Sequence, residues 1–114
     1  MAELLNRKVL SPGDYVFRQG EQASNAYIVQ EGEVEIVRSK DGQDTVLGVV
    51  GKGGIFGEMG LIDSKPRMAS ARATKGSTII VVSEAMFREK LAKADPFIRG
   101  LLNILVGTIR RGQT

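Results

Sequence analysis

Apolar residues along this chain follow two regimes, and the change between them falls near Ser83. Before it they come in short bursts cut by turn residues: Tyr15-Val16-Phe17, Ala26 to Gln30, Glu33 to Arg38, Thr45 to Val50, Met68 to Thr74 and Thr78 to Val82. Bursts of this length, rich in β-branched residues and bounded by Gly, Asp, Asn and Ser, predict strands. Ser11-Pro12-Gly13-Asp14 turns the chain into the first of them, and Gly20 to Asn25 is a polar connection to the next. Glu31-Gly32 predicts a hairpin between the second and third bursts. Asp41-Gly42 carries the signal of a primed turn, so Val34 to Arg38 should run antiparallel to Thr45 to Val50. The uninterrupted run Thr78-Ile79-Ile80-Val81-Val82 predicts a buried strand. Ahead of all of these, Ala2 to Lys8 predicts a short helical lead-in.

After Ser83 the period becomes helical. Ser83 is a fitting N-cap for a helix that carries Met86, Phe87 and Leu91 on one face and ends near Ala94. Asp95-Pro96, an N-cap followed by proline at the first helical position, starts a second helix through about Arg111, with Gly112 as its stop. Phe97, Ile98, Leu101, Leu102, Ile104, Leu105, Val106 and Ile109 give that helix an apolar surface wider than one core-facing stripe requires. The surplus is available to close over a ligand, to meet a second copy of the chain, or simply to complete the core. Short strands followed by helices predict a mainly β fold with flanking helices: an antiparallel β-roll, or jelly roll, at about residues 11–82 with two helices at about 83–111.

The 114 residues suffice for one domain with a single core and leave no room for a second. A hydrophobic content of 42% with 25% charged residues is globular rather than disordered, and 14 glycines fit many tight turns. Cysteine is absent, which removes disulfides and thiolate metal sites and fits a reducing compartment. Histidine is absent too, and this excludes more. Zinc and non-haem iron sites, catalytic triads and most acid/base pairs lean on imidazole, so the commonest hydrolytic and oxidative chemistries lack their usual side chains. The net charge of +3 is mildly basic and is read as solubility, since a nucleic-acid footprint would want basic residues clustered on one face. No signal-peptide hydrophobic region and no membrane-spanning apolar run is present, so a cytoplasmic, non-membrane setting is expected.

The chemistry concentrates between Gly54 and Ala71. Gly54, Gly57 and Gly60 flank a run too short for an independent helix, which predicts one helical turn whose free N–H groups face an anion. Glu58 in that turn either complements the positive end of the helix dipole or accepts hydrogen bonds from a ligand hydroxyl. Pro66 stiffens the following loop. Arg67 then enters a strand-like segment from which its guanidinium could grip the anion bidentately. An arginine before a strand is by itself an ordinary surface charge; the glycines, Glu58 and Pro66 around this one change its reading. The glycine spacing does not fit the dinucleotide fingerprint, and Gly51-Lys52-Gly53 lacks the hydroxyl residue that a Walker motif needs. Glu31, Glu33 and Glu35 form an acidic cluster, yet Glu33 and Glu35 alternate with Val34 and Ile36 as a solvated strand face does, so no metal site is expected.

Phe56-Gly57-Glu58-Met59-Gly60-Leu61-Ile62 followed by Pro66-Arg67-Met68-Ala69-Ser70 resembles, without gaps, the phosphate-binding cassette of cyclic nucleotide-binding domains. Pro12 to Val16, Arg18 to Glu21 and Tyr27 to Ile36 resemble the amino-terminal strands of the same family, so the resemblance spans nearly the whole chain. It implies the same β-roll, with a short cassette helix. It further implies that Arg67 holds a cyclic phosphate with help from backbone N–H groups at Met59, Met68 and Ala69, and that Glu58 and Gly57 meet the ribose. Leu105, Val106, Ile109, Arg110 and Arg111 of the last helix are the candidates to cover the base.

These readings combine into a non-catalytic sensor module, without cofactor or metal, that binds cyclic AMP (or cyclic GMP) and repositions its C-terminal helices. Its expected partners are a cyclic nucleotide, a protein effector or fused output domain, and a second copy through the last helix, but not nucleic acid. The rival from the interaction class is the same fold with an unused pocket, serving docking or oligomerisation; intact Glu58 and Arg67 oppose it. A cupin-type enzyme, built on inward-facing histidines, cannot be assembled from this chain.

Overall fold

The computed structural model describes residues 6–112. Among them the order is β1 (Asn6–Leu10), β2 (Tyr15–Phe17), β3 (Asn25–Glu31), β4 (Val34–Lys40), β5 (Gln43–Val50), β6 (Ile55–Phe56), α1 (Met59–Asp63), β7 (Ser70–Ala73), β8 (Ser77–Ser83), α2 (Glu84–Ala92) and α3 (Pro96–Gly112). The strands make two sheets, β1-β8-β3-β6 and β2-β7-β4-β5, with every pairing antiparallel. Leu10, Val16, Tyr27, Val29, Val34, Phe56, Ala71, Ala73 and Ile79 fill the space between them. The core draws alternate positions from strands of both sheets, as a β-roll does, and the expected fold class holds.

Three expectations need correction. Asn6 to Lys8 are not helical: they belong to β1, whose register with β8 runs from Asn6↔Val81 to Leu10↔Ser77. Pairing along the β8 edge puts Leu10 in the core, a gain that a free-standing helical turn cannot match. The roll therefore begins at Asn6, and the rest of the predicted lead-in, Ala2 to Leu5, lies outside the described residues. Next, Glu31-Gly32 does not close a hairpin, because β3 and β4 sit in different sheets. The Glu33 N–H donates to Ser77 Oγ (3.0 Å) and the Glu33 carbonyl accepts from the Thr74 N–H (3.0 Å). The turn between β7 and β8 has taken the groups a β3–β4 ladder would need. Finally, β8 is central in its sheet but only its Ile79 is fully buried among the apolar run; Ile80, Val81 and Val82 are half-covered. Asp41-Gly42, by contrast, behaves as predicted. Both residues have positive φ (54° and 78°), as a type I′ turn demands, and β4 pairs with β5 from Lys40↔Gln43 onward.

The helical region keeps its predicted joints. Ser83 Oγ accepts from the Met86 N–H (3.2 Å), and Asp95 Oδ1 accepts from the Phe97 N–H (2.8 Å). α2 stops at Ala92, slightly short of the expected end. It rests lightly on the roll: Phe87 packs with Val82 against Ala23, Ala26 and Leu61, while Met86 points outward.

Gly32 has φ +97°, and a Cβ there would fall 2.2 Å from Ser77 Oγ and 2.6 Å from the Gly76 carbonyl oxygen. Gly42 also has positive φ but open space around it. Gly42→Ala should therefore cost only the backbone penalty of about 1–2 kcal/mol. Gly32→Ala should cost roughly 2–5 kcal/mol, strain and overpacking together. Paired denaturant titrations measure the difference; equal losses would mean that the sheet crossover does not depend on this close approach.

Candidate functional site

Between β6 and α1 the chain makes a tight passage that only glycine fits. Gly57 has φ +79°, and a Cβ on it would lie 3.1 Å from both the Phe17 and Tyr27 rings and 3.2 Å from Arg67 Nη1. At Gly60 a Cβ would fall 2.5 Å from that of Ala23. α1 can thus lie flat against the roll, with Leu61 wholly buried beneath it. No side chain caps the start of α1, and the first intrahelical bonds run from the Leu61 and Ile62 N–H groups to the Glu58 carbonyl (3.0 and 3.2 Å). The Met59 and Gly60 amides precede these donors at the mouth of the passage.

Arg67 lies opposite. Its backbone is pinned to the Arg18–Glu21 turn: the Arg67 N–H donates to the Glu21 carbonyl (2.8 Å) and the Gly20 N–H donates to the Arg67 carbonyl (2.8 Å). The residue is only 6% exposed. Nη1 donates to the Gly57 carbonyl (2.5 Å), Nη2 to the Asn25 carbonyl (2.6 Å), and the guanidinium carbon stacks 3.9 Å from the centre of the Phe17 ring. Nε has no hydrogen-bond partner, and among the described residues no carboxylate forms an ion pair with this side chain. Burial lowers the Arg67 pKa, with Tyr27, Glu21 and Glu58 opposing that shift. Arginine nevertheless stays protonated, so the site holds a fixed cation met directly by carbonyl dipoles and aromatic faces, with the Glu21 and Glu58 charges acting on it without an ion pair.

A cavity of about 300 Å³ opens beside it. Phe17, Ile36, Leu47, Val50, Ile55 and Phe56 form its apolar wall, Glu58 and Arg67 supply charge, and Ile109 and Arg110 of α3 close one side. Burial raises the Glu58 pKa; its own backbone N–H and the Arg67 charge pull the other way without prevailing. One end of the cavity can therefore take an anion, the carboxylate can accept from hydroxyl groups, and the apolar wall suits a flat ring.

Of the residues singled out from the sequence, Gly57, Glu58, Met59, Arg67, Met68, Ile109 and Arg110 line this cavity. Ala69, Leu105, Val106 and Arg111 do not. The Ala69 side chain is buried, Val106 is buried at 4% exposure, Leu105 is largely open, and Arg111 donates from Nη2 to Thr108 Oγ1 (3.4 Å). α3 thus reaches the cavity at its last turns. Sequence reasoning missed the apolar wall from β2, β4 and β5, because alternation tells which residues face inward but not at which end of the roll the interior opens. It also missed Asn25, which acts through its backbone carbonyl, and Asp63, which pairs with Arg110. Among the described residues no cluster of metal-ligating side chains occurs, and no helix is long and apolar enough to cross a membrane.

A family model described as the cyclic nucleotide-binding domain matches residues 7–94. The chain is 37% identical over 83 residues to an ABC transporter ATP-binding protein of Mycobacterium tuberculosis, covering 72% of this chain and 25% of that protein. It is 31% identical over 91 residues to the cAMP-dependent protein kinase type II regulatory subunit of Drosophila melanogaster, covering 80% and 24%. Among solved structures, the EAL enzyme Bd1971 in its cAMP-bound form superposes with a TM-score of 0.90 at 31% identity, over 95% of this chain and 29% of that one. The same enzyme in its cGMP-bound form gives 0.89 at 32% identity. The chain spans about a quarter of the length of these relatives.

The raised Glu58 pKa has a consequence for stability. Folded protein binds this proton more readily than unfolded protein, so the stability linked to it is fully present below the unfolded pKa and lost as pH rises through the folded one. At neutral pH the half-buried carboxylate is a cost. Glu58→Gln should accordingly be more stable than the parent chain at pH 7, and the gap should close as the solution is acidified. Thermal unfolding of both proteins across pH tests this; a variant destabilised at pH 7 would show that the ionised Glu58 stabilises the fold.

Proposed function

The chain belongs to the cyclic nucleotide-binding domain family, and from that premise we propose that it binds a cyclic nucleoside monophosphate, cyclic AMP by preference, as a regulatory module with no catalysis of its own. The observation that carries this reading is Arg67: a buried guanidinium with an unpartnered Nε, no pairing carboxylate, and a cavity in front of it. A cyclic phosphodiester supplies the single negative charge that such a cation needs. The Met59 and Met68 amides, from residues that line the cavity, complete the phosphate cradle. Glu58, with Gly57 beside it, takes the ribose hydroxyl, and that hydrogen bond offsets part of its desolvation. The base then lies along Ile36, Leu47 and Val50, facing Ile109 and Arg110.

Two of the relatives are named as a kinase regulatory subunit and as a transporter ATP-binding protein. We read this module as serving an effector of that kind, fused or free, through movement of α3. One feature favours the rival docking function: Phe97 and Ile104, on the flank of α3 away from the cavity, are 73% and 65% exposed.

Calorimetric titration with cyclic AMP and cyclic GMP tests the proposal directly. Arg67→Ala should lose at least about tenfold in affinity, since removing one side of a desolvated charge pair costs roughly 2–5 kcal/mol. An unchanged affinity in folded Arg67→Ala would remove the clamp. Base choice rests on Met68, which in the resembling family is the position where threonine favours guanine. A thioether cannot donate a hydrogen bond and accepts weakly, so cyclic AMP should bind at least as tightly as cyclic GMP. A preference of about tenfold or more for cyclic GMP would contradict this assignment.

A further inference from the structure

At its C-terminal end, α1 is tied to both of the following helices through adjacent residues. Arg88 of α2 donates from Nη2 to Ser64 Oγ (3.2 Å). Arg110 of α3 grips Asp63 with two donors, Nε to Oδ2 and Nη2 to Oδ1 (3.2 Å). The second tie is of a different quality from the other helix ion pairs. Its side chains are 16% and 15% exposed, whereas Arg88–Glu84 within α2 and Lys93–Glu89 at its C-terminal end are local i,i+4 pairs with far more open partners. It also spans 47 residues of sequence and is bidentate, the geometry in which an arginine–carboxylate pair is both strong and directional.

Asp63 is itself held. Its Oδ1 accepts from the Lys65 N–H (3.1 Å), which fixes the carboxylate in the turn that follows α1. Ser64 in that turn has positive φ (58°), and Pro66 stiffens the link to Arg67. One short segment therefore carries the acceptor for α3 at one end and the buried cavity cation at the other. α3 has little else to hold it: α1 is the element it packs against most, only Val106 is buried among its residues whose burial is described, and its Ile98, Leu101, Leu105 and Ile109 remain substantially exposed.

We propose that Asp63 is a positioning residue for the cavity: by clasping Arg110 it fixes α3 as a wall of the cavity and sets how fast a bound cyclic nucleotide leaves. The part concerning release rests on the nucleotide-binding reading above; the part concerning α3 does not. With the clasp closed, Ile109 and Arg110 stay against the cavity, and a ligand departs only when α3 swings away. Loosening the clasp shifts the population toward the open arrangement, which speeds release more than it alters entry.

The test is a double-mutant cycle of Asp63→Asn and Arg110→Gln. The carboxamide introduced by Asp63→Asn keeps an oxygen for the Lys65 N–H, so the turn survives while the charge pair is lost. Two measurements are made on each protein: amide hydrogen exchange of residues 98–112 without nucleotide, and dissociation of a fluorescent cyclic AMP analogue. Asp63→Asn should raise exchange in that segment while leaving β3 and β8 protected, and should speed dissociation on the order of tenfold, an ordinary coupling between two sites, with little change in association rate. In the Arg110→Gln background it should add nothing further. Unchanged exchange and dissociation in Asp63→Asn, or full additivity with Arg110→Gln, would overturn the clasp. If the parent chain fails to bind the analogue at all, the nucleotide reading and the release claim fall together, while the exchange data still decide whether Asp63 holds α3.

Discussion

A guanidinium that cannot give up its proton has been taken out of water at Arg67, and the surroundings are shaped by that fact. Left alone, a desolvated ion costs several kcal/mol even after relaxation. Two carbonyl oxygens and the face of Phe17 offset part of this, and each demands something of the chain. The Gly57 carbonyl is available only because the residue adopts positive φ with no Cβ to strike Phe17, Tyr27 or Arg67 itself. The Asn25 carbonyl is available because β3 begins there, beside the end of β8. The Arg18–Glu21 turn holds the arginine backbone so that the side chain need not search. None of these partners carries a negative charge, and Glu21 and Glu58 act on the guanidinium without forming an ion pair, so an anion entering the cavity would add the compensation that the fold leaves out.

The same logic explains which parts of the fold and site were legible in the sequence. The cassette was legible because its constraints are local: Gly57, Glu58, Pro66 and Arg67 act within one loop and one turn, and their spacing survives as a pattern. Asp41-Gly42 and the Ser83 and Asp95 caps were legible for the same reason. Apart from the end of α2, the failures involve partners far away in sequence. Asn6 to Lys8 become a strand because of residues near Ile80, and the Gly32 corner exists because Ser77 takes the Glu33 N–H. Phe17, Ile36 and Val50 were placed in strands, but their use as a cavity wall depends on how the two sheets splay, which no single strand encodes. In α3, an unusually wide apolar face was readable, whereas its angle of approach was not. That angle brings Ile109 and Arg110 to the cavity and leaves Leu105 outside.

The two sides of the cavity differ in how firmly they are built. The β-roll side is held by continuous ladders and a filled core, which leaves side-chain adjustment as its main freedom. The α3 side is held by the Asp63–Arg110 pair and one buried valine, beyond a proline-marked joint at Asp95-Pro96. A ligand shifts an equilibrium only by contacting its states differently. Contacts with Phe17, Ile36 or Val50 are made wherever α3 lies and therefore give affinity without movement. Under the proposed opening of α3, contacts with Ile109 and Arg110 would exist only in the closed arrangement, and the energy available for movement would be confined to its last turns. The exposed Phe97 and Ile104 lie on the same rigid helix, and any motion of α3 at the cavity displaces that apolar flank. A signal read at Arg67 would then be presented outward as a change in the position of a hydrophobic surface.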